Sequence, residues 1–404
     1  MPMDLPQRNG TRRTGRVVIA VLVSCLVLLY FFIPLDAISS LRSSPPIQSS
    51  AVDESDEFPE DANTEVATHV YEEDLPTVST PSPIQDVQDE VETLAVPTSS
   101  ASPAPESAPT VFEEVKPPSS LPEDVRFIIS FGDSWTTVRF QSNLTGPGSD
   151  LNPSPSNPMG NPAWPGDTTS KGRNWLGYMS SEFNSTLTLN WNFAQHGSII
   201  DWGIVPSWRA DKLSFSQQIQ EFNKTIGHRP NYAPWTSENT VASVWFGLND
   251  MTNSRKWANL TVVIPDLVDG MLTHAQTLYG MGFRNFLFFE LGPVPWAPFY
   301  QNSIPFQRNK LASYYVSTFN ILLQSRLKAF EEKNSDARVN MITVTDIIMG
   351  AILNPQSRGA TNATCIDSEK GESCLWADKS HPGISIHRSM GYRAAEAAWG
   401  SVPH

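Results

Sequence analysis

VRFIISFGDS, residues 125–134, is the stretch that decides the fold. Its first seven residues are rich in Val, Ile and Phe, the composition of a short strand buried on both faces. Gly132-Asp133-Ser134 then ends the strand with turn-forming residues. Four further apolar runs of strand length follow: Leu187–Phe193, Thr240–Phe246, Asn285–Leu291 and Arg338–Val344. Helical patterns lie between them, clearest at Ile264–Tyr279 and Lys310–Glu332. Buried strands alternating with helices predict an α/β domain on a parallel sheet. The stretch from Asn143 to Gly172 is rich in Pro, Gly, Asn and Ser, so it reads as a long loop or small insertion beside the first strand end.

Several strands end in a short polar or glycine-containing motif. In open parallel sheets ligands bind outside the carboxyl ends of the strands, so these motifs are expected to converge. Ser134 stands just after the first strand. A serine hydroxyl becomes a nucleophile only when a base takes its proton, and a helix starting there would favour the negative charge that develops. Taken singly, Gly-Asp-Ser is as consistent with a turn or a helix cap. Asp378 and His381, in DKSHPG, are spaced so that the carboxylate can reach the imidazole of its own turn. The histidine would serve as base and then acid, with its tautomer fixed by the aspartate. Gly197 follows the second strand and Asn249 the third. A backbone N–H and a side-chain amide are suitable donors to an oxyanion.

In this order the blocks FGDSWTT (131–137), NFAQHGSIID (192–201), WFGLNDM (245–251) and DKSHPG (378–383) resemble the SGNH, or GDSL, hydrolase superfamily. The resemblance covers most of 125–400. It implies a three-layer α/β/α sandwich with a mainly parallel five-stranded sheet. It also implies a catalytic triad of Ser134, Asp378 and His381, and an oxyanion hole from Ser134, Gly197 and Asn249. GDSWTT, AWPGDTTSKGRNWLGYM (163–179) and FGLNDM narrow the likeness to fungal acetylesterases of carbohydrate esterase family 16. The second block departs from the usual small residues, because Gln195 and His196 precede Gly197; that bulk would narrow the oxyanion side or touch substrate. Trp135, Trp164, Trp202 and Trp376 lie near the blocks. Trp135 and Trp164 are the expected sugar platforms, with plain core packing as the alternative. His196, His228, His274 and His387 form no metal-ligand pattern, and no phosphate-binding fingerprint is present. No metal and no organic cofactor is expected.

The chain has 404 residues, and the first 124 differ in composition from the rest. Residues 1–16 are basic, and Val17–Leu35 is an apolar run. As a helix that run would reach about 28 Å, the thickness of a bilayer core. With the arginines all before it, it reads as a type II signal-anchor; a cleaved signal peptide is the alternative. Residues 36–124 are rich in Pro, Ser and acids, with 19 Asp or Glu against Lys116 alone over 51–124. Such a segment reads as a disordered stalk. The domain 125–404 holds 21 acidic and 22 basic residues, a balance that gives no reason to expect nucleic acid. Sequons at Asn143, Asn184, Asn223, Asn259 and Asn362 suit a glycosylated lumenal or extracellular domain, secreted if the anchor is cut. Cys365 and Cys374, nine apart, are placed to form a disulfide there.

The expected activity is hydrolysis of a short acyl ester, acetyl above all, on a carbohydrate. A glycan O-acetyltransferase of the secretory pathway, a GDSL lipase or lysophospholipase, and a non-catalytic glycan-binding protein are the rivals on the same residues. The near-neutral domain gives no reason to prefer a dimer.

Overall fold

The computed structural model describes residues 121–302, 306–400 and 402–403. The basic segment 1–16, the apolar run 17–35 and the acidic segment up to residue 120 lie outside the described residues. Among the described residues, no helix is long and apolar enough to cross a membrane.

The strands are β1 (Arg126–Gly132), β2 (Thr188–Asn192), β3 (Thr240–Trp245), β4 (Asn285–Phe289) and β5 (Arg338–Ile342). The helices are α1 (Trp175–Ser181), α2 (Phe215–Phe222), α3 (Leu248–Ser254), α4 (Leu260–Gly280), α5 (Pro298–Asn302), α6 (Phe306–Lys333), α7 (Thr345–Leu353) and α8 (Ile384–Trp399). The sheet order is β2-β1-β3-β4-β5, and every pairing is parallel. One layer holds α1 against α8, with α8 on β4 and β5; the other holds α2, α4 and α6. All five expected strands are present, and the three layers follow.

This order places the topological switch between β1 and β3, where the chain leaves first for one side and then for the other. Gly132 is paired with Trp245 at the last rung of β1 and β3. The segments beyond them, carrying Ser134 and Asn249, therefore leave the sheet side by side. A Cβ at Gly132 would lie 2.8 Å from Trp245 O, so only glycine allows the two strand ends to close up.

Aromatic rings fill much of the core. Trp245 stacks on Phe289 at 4.4 Å, and Trp175 packs on the same ring at 4.6 Å. Expected β4 and β5 run two residues past the observed ends. Glu290 N–H still donates to Ile342 O, but the Glu290 carboxylate turns to accept from Val344 N–H (2.8 Å) and Thr345 N–H (2.7 Å). It thereby satisfies N–H groups at the start of α7 that the helix cannot. Helix α4 starts before the expected Ile264; Pro265 lacks the N–H that would bond Thr261, yet does not end the helix.

Cys365 and Cys374 are joined, with Cα atoms 5.4 Å apart. Asn143, Asn223, Asn259 and Asn362 are exposed. Asn184 is half-buried and its amide donates to Ser180 O at 2.9 Å.

Candidate active site

Ser134 sits in a turn directly after β1. The Asp133 carbonyl accepts from Thr136 N–H and Thr137 N–H, and the Asp133 carboxylate accepts from Trp135 N–H at 3.0 Å. Thr169 Oγ1 donates to Ser134 O at 2.7 Å, so the long loop 143–172 folds back on the turn that carries Ser134. No helix starts here. The first α-helix after β1 is α1, which begins only at Trp175, so no helix N-terminus lies at Ser134 and stabilisation of a developing charge would fall to individual donors.

The DKSHPG segment meets this turn from the other end of the chain. His381 Nδ1 donates to Asp378 Oδ2 at 2.6 Å, and Ser134 Oγ donates to His381 Nε2 at 2.8 Å. The other Asp378 oxygen accepts from Ser380 N–H and His381 N–H, both at 2.7 Å. Burial works to raise the Asp378 pKa, but the facing imidazole and these N–H groups outweigh it and hold the carboxyl at about 2. An ionised Asp378 accepts only, so Nδ1 carries the proton and Nε2 is the acceptor. Ser134 and His381 are 6% and 4% exposed, which keeps water from competing for this chain of bonds. The segment is held by Ala377 N–H to His381 O, by Trp376 Nε1 to Ala363 O, by Phe299 N–H to Lys379 O, and by the disulfide behind it.

Asn249, in the first turn of α3, donates to Ser198 O at 2.9 Å and makes a long 3.4 Å contact with Asp133 Oδ2. Gly197 lies in the turn before Ser198 with φ +79°, a conformation that favours glycine. Two buried carboxyls stand behind these groups. Burial pushes Asp133 up to about 7, against the Trp135 N–H and the charge of His381. Burial also pushes Asp250 up to about 7, opposed by Ile200 N–H and reinforced by Asp133 and Asp201.

Gln218 ties the blocks together, and the sequence reading missed it. Its Oε1 accepts from Gly132 N–H at 2.9 Å, and its Nε2 donates to Gly132 O at 2.8 Å and Ser198 Oγ at 2.9 Å. The signal was available. Ser214 and Gln217 form a capping box at the start of α2, and Phe215, Gln218, Ile219 and Phe222 share its buried face. A glutamine in an apolar stripe marks a polar partner inside.

Other expectations change. Trp135 is 2% exposed; its ring packs edge-on against Trp245 at 5.3 Å and fills the space beside Gly292. It is a core residue and has no face free for a sugar. Trp376 is likewise buried, while Trp164 and Trp202 are exposed. Trp164 lies over Gly177 of α1. Gln195 does not crowd the oxyanion side: its N–H bonds Gly132 O and its Oε1 accepts from Leu213 N–H at 2.7 Å. His196 does face the site, its ring 5.9 Å from that of His381. His387 is buried, accepts from Trp175 N–H, and is held neutral by burial and by His381, with its pKa down at about 3. Among the described residues no group of His, Cys, Asp or Glu is arranged to hold a metal ion.

A serine hydroxyl bonded to an imidazole that a carboxylate orients is an arrangement able to transfer acyl groups. Comparison with known proteins agrees in kind. Residues 128–394 match the family model described as GDSL-like lipase/acylhydrolase. An acetylesterase of Thermothelomyces thermophilus is 36% identical over 277 residues, covering 68% of this chain and 89% of that protein. Among solved structures, a putative GDSL-like lipase from Parabacteroides merdae ATCC 43184 shares 11% identity at a TM-score of 0.39, covering 68% of this chain and 96% of its own. A catalytic mutant of the acetylxylan esterase Axe2 from Geobacillus stearothermophilus shares 9% at 0.38, covering 68% and 95%.

Proposed function

We propose, for a chain that belongs to the GDSL-like lipase/acylhydrolase family and is a carboxylic ester hydrolase, that the bond it cleaves is a short-chain ester, acetyl above all, on a carbohydrate. The observation that carries this reading is the unbroken chain from Ser134 Oγ through His381 to Asp378, at 2.8 and 2.6 Å. The fungal acetylesterase relative supports the choice of acetyl.

In this mechanism His381 Nε2 takes the Ser134 proton as Oγ attacks the ester carbonyl carbon. The carbonyl oxygen becomes an oxyanion, held by Ser134 N–H, Gly197 N–H and the Asn249 amide. One Asn249 hydrogen is used on Ser198 O; the other, on the long contact to Asp133, is the one that turns to the oxyanion. The oxyanion collapses, the bond to the alcohol oxygen breaks, and His381 gives that oxygen its proton. Water then attacks the acyl-serine, with His381 taking a water proton and returning it to Ser134 as the acid leaves. Asp378 holds the tautomer and stabilises the imidazolium throughout.

The apolar run 17–35 and the five sequons support placing this domain on the lumenal or extracellular side of a membrane. The test of the activity is hydrolysis of p-nitrophenyl acetate and octanoate by the full-length chain and its Ser134→Ala variant. Acetate turnover that falls with acyl length and vanishes in the variant is expected. Preference for octanoate would point to a lipase, and no turnover by folded protein to a transferase.

A further inference from the structure

The loop between β2 and α2 carries an aromatic residue that lies against the proposed oxyanion glycine. A Cβ built at Gly197 would have Trp208 Nε1 at 3.3 Å and the Lys212 Cδ and Cγ atoms at 3.4 Å as its nearest neighbours. Trp208 is therefore beside the group that would hold the carbonyl oxygen, and it is 37% exposed. The core tryptophans have no such exposure. The Lys212 side chain, by contrast, is only 13% exposed, so its stem is spent on packing.

The loop that presents Trp208 is braced. Val205 is buried, Gly203 N–H donates to Asp201 Oδ1, and the Asn253 amide donates to Pro206 O. Beyond Trp208, Arg209 forks onto Asp211 at 2.8 and 2.9 Å, and Leu213 N–H is held by Gln195 Oε1. The Arg209 guanidinium lies over the indole ring, 5.3 Å from its centroid, so a sugar would take the opposite face. An indole held in place from both sides loses little freedom when a ligand lands on it. Its flat apolar face and polar edge suit the C–H face and hydroxyls of a sugar ring. A carbonyl oxygen held at Gly197 would bring the ester into the neighbourhood of this side chain, because the indole Nε1 is 3.3 Å from the Gly197 Cβ position. His196 stands next to Gly197 in sequence, with its ring toward His381, and bounds the same opening.

We propose that Trp208 is the platform for the sugar ring that carries the acyl group, and so a determinant of preference for carbohydrate esters. The proposal rests on the acetylesterase reading above and adds the residue that selects the alcohol. The test compares full-length wild type, Trp208→Ala and Trp208→Phe on peracetylated xylobiose and on ethyl acetate, which has the same acyl group and an alcohol too small to reach the indole. The readout is the ratio of kcat/KM on the sugar ester to that on ethyl acetate. Loss of one aromatic face is expected to lower this ratio about tenfold in Trp208→Ala, mainly through KM, with Trp208→Phe within about twofold of wild type. A Trp208→Ala ratio equal to wild type, or a Trp208→Phe ratio as low as that of alanine, overturns the platform while the esterase reading stands. Wild-type protein that hydrolyses neither ester overturns the reading itself, and the platform with it.

Discussion

Gln218→Met tests whether the buried glutamine frames the turn that carries Ser134. The Gln218 side chain is fully buried and makes three bonds of 2.8–2.9 Å, two of them to Gly132. Methionine keeps the length of the side chain and removes all three. Gly132 O would retain Gln195 N–H at 3.1 Å, and the Ser198 hydroxyl can turn. Gly132 N–H, however, would lose its acceptor in a dry strand end. An orphaned buried donor costs about 1–3 kcal/mol and the lost neutral bonds about 1 more, so the variant is expected to be about 2–4 kcal/mol less stable. Gly132 is two residues before Ser134, and a displacement near 1 Å at a nucleophile costs about 10²-fold. Urea unfolding followed by tryptophan fluorescence gives the first quantity, and kcat on p-nitrophenyl acetate below the transition gives the second. A methionine variant that unfolds at the wild-type midpoint with wild-type kcat would refute the reasoning.

Asp378→Asn should leave the fold intact and lower kcat about 10⁴-fold, because the amide no longer enforces the Nδ1–H tautomer; near-wild-type turnover on p-nitrophenyl acetate would contradict that role. Asp250 is raised to about 7 in the fold against 3.8 as a free group, so its neutral form stabilises fully below pH 4 and that contribution is lost as pH rises through 7. The Tm of Asp250→Asn relative to wild type should accordingly increase between pH 4 and 8; a pH-independent difference would count against it. Reducing the Cys365–Cys374 bridge, or replacing both residues by serine, should cost about 2–3 kcal/mol in the chain-entropy account of so short a loop. Because that loop backs the His381 segment, turnover should fall along with Tm, and a reduced protein with unchanged Tm would argue against this.

Much of the fold was legible because the strands are buried on both faces. Phe127, Ile128, Ile129 and Phe131 are all fully buried, so β1 reads as a continuous apolar run without needing any alternation. The blocks at the strand ends were legible for a related reason: turn residues and glycines must follow where strands stop at the switch point. What escaped was decided by packing across the chain. Trp135 looks like a site residue from its place beside Ser134, yet its ring points under the turn onto Trp245. Trp208 is eleven residues past Gly197 and comes back to it only through the braced loop. The ends of β4 and β5 were overrun because Glu290 looks like part of an apolar strand until its carboxylate is seen capping α7. Absence of a helix after Ser134 also has no local signal, since Asp133-Ser134 is a good helix start in isolation.

The central claim is that Ser134 is the nucleophile, and covalent labelling tests it most directly. The full-length chain would be treated with an organophosphonate esterase inhibitor, digested, and mapped by mass spectrometry while residual p-nitrophenyl acetate hydrolysis is followed. The account predicts a single adduct on the peptide bearing Ser134, rising in step with loss of activity. An adduct on another residue that tracks the loss, or full labelling of Ser134 with hydrolysis intact, would contradict it.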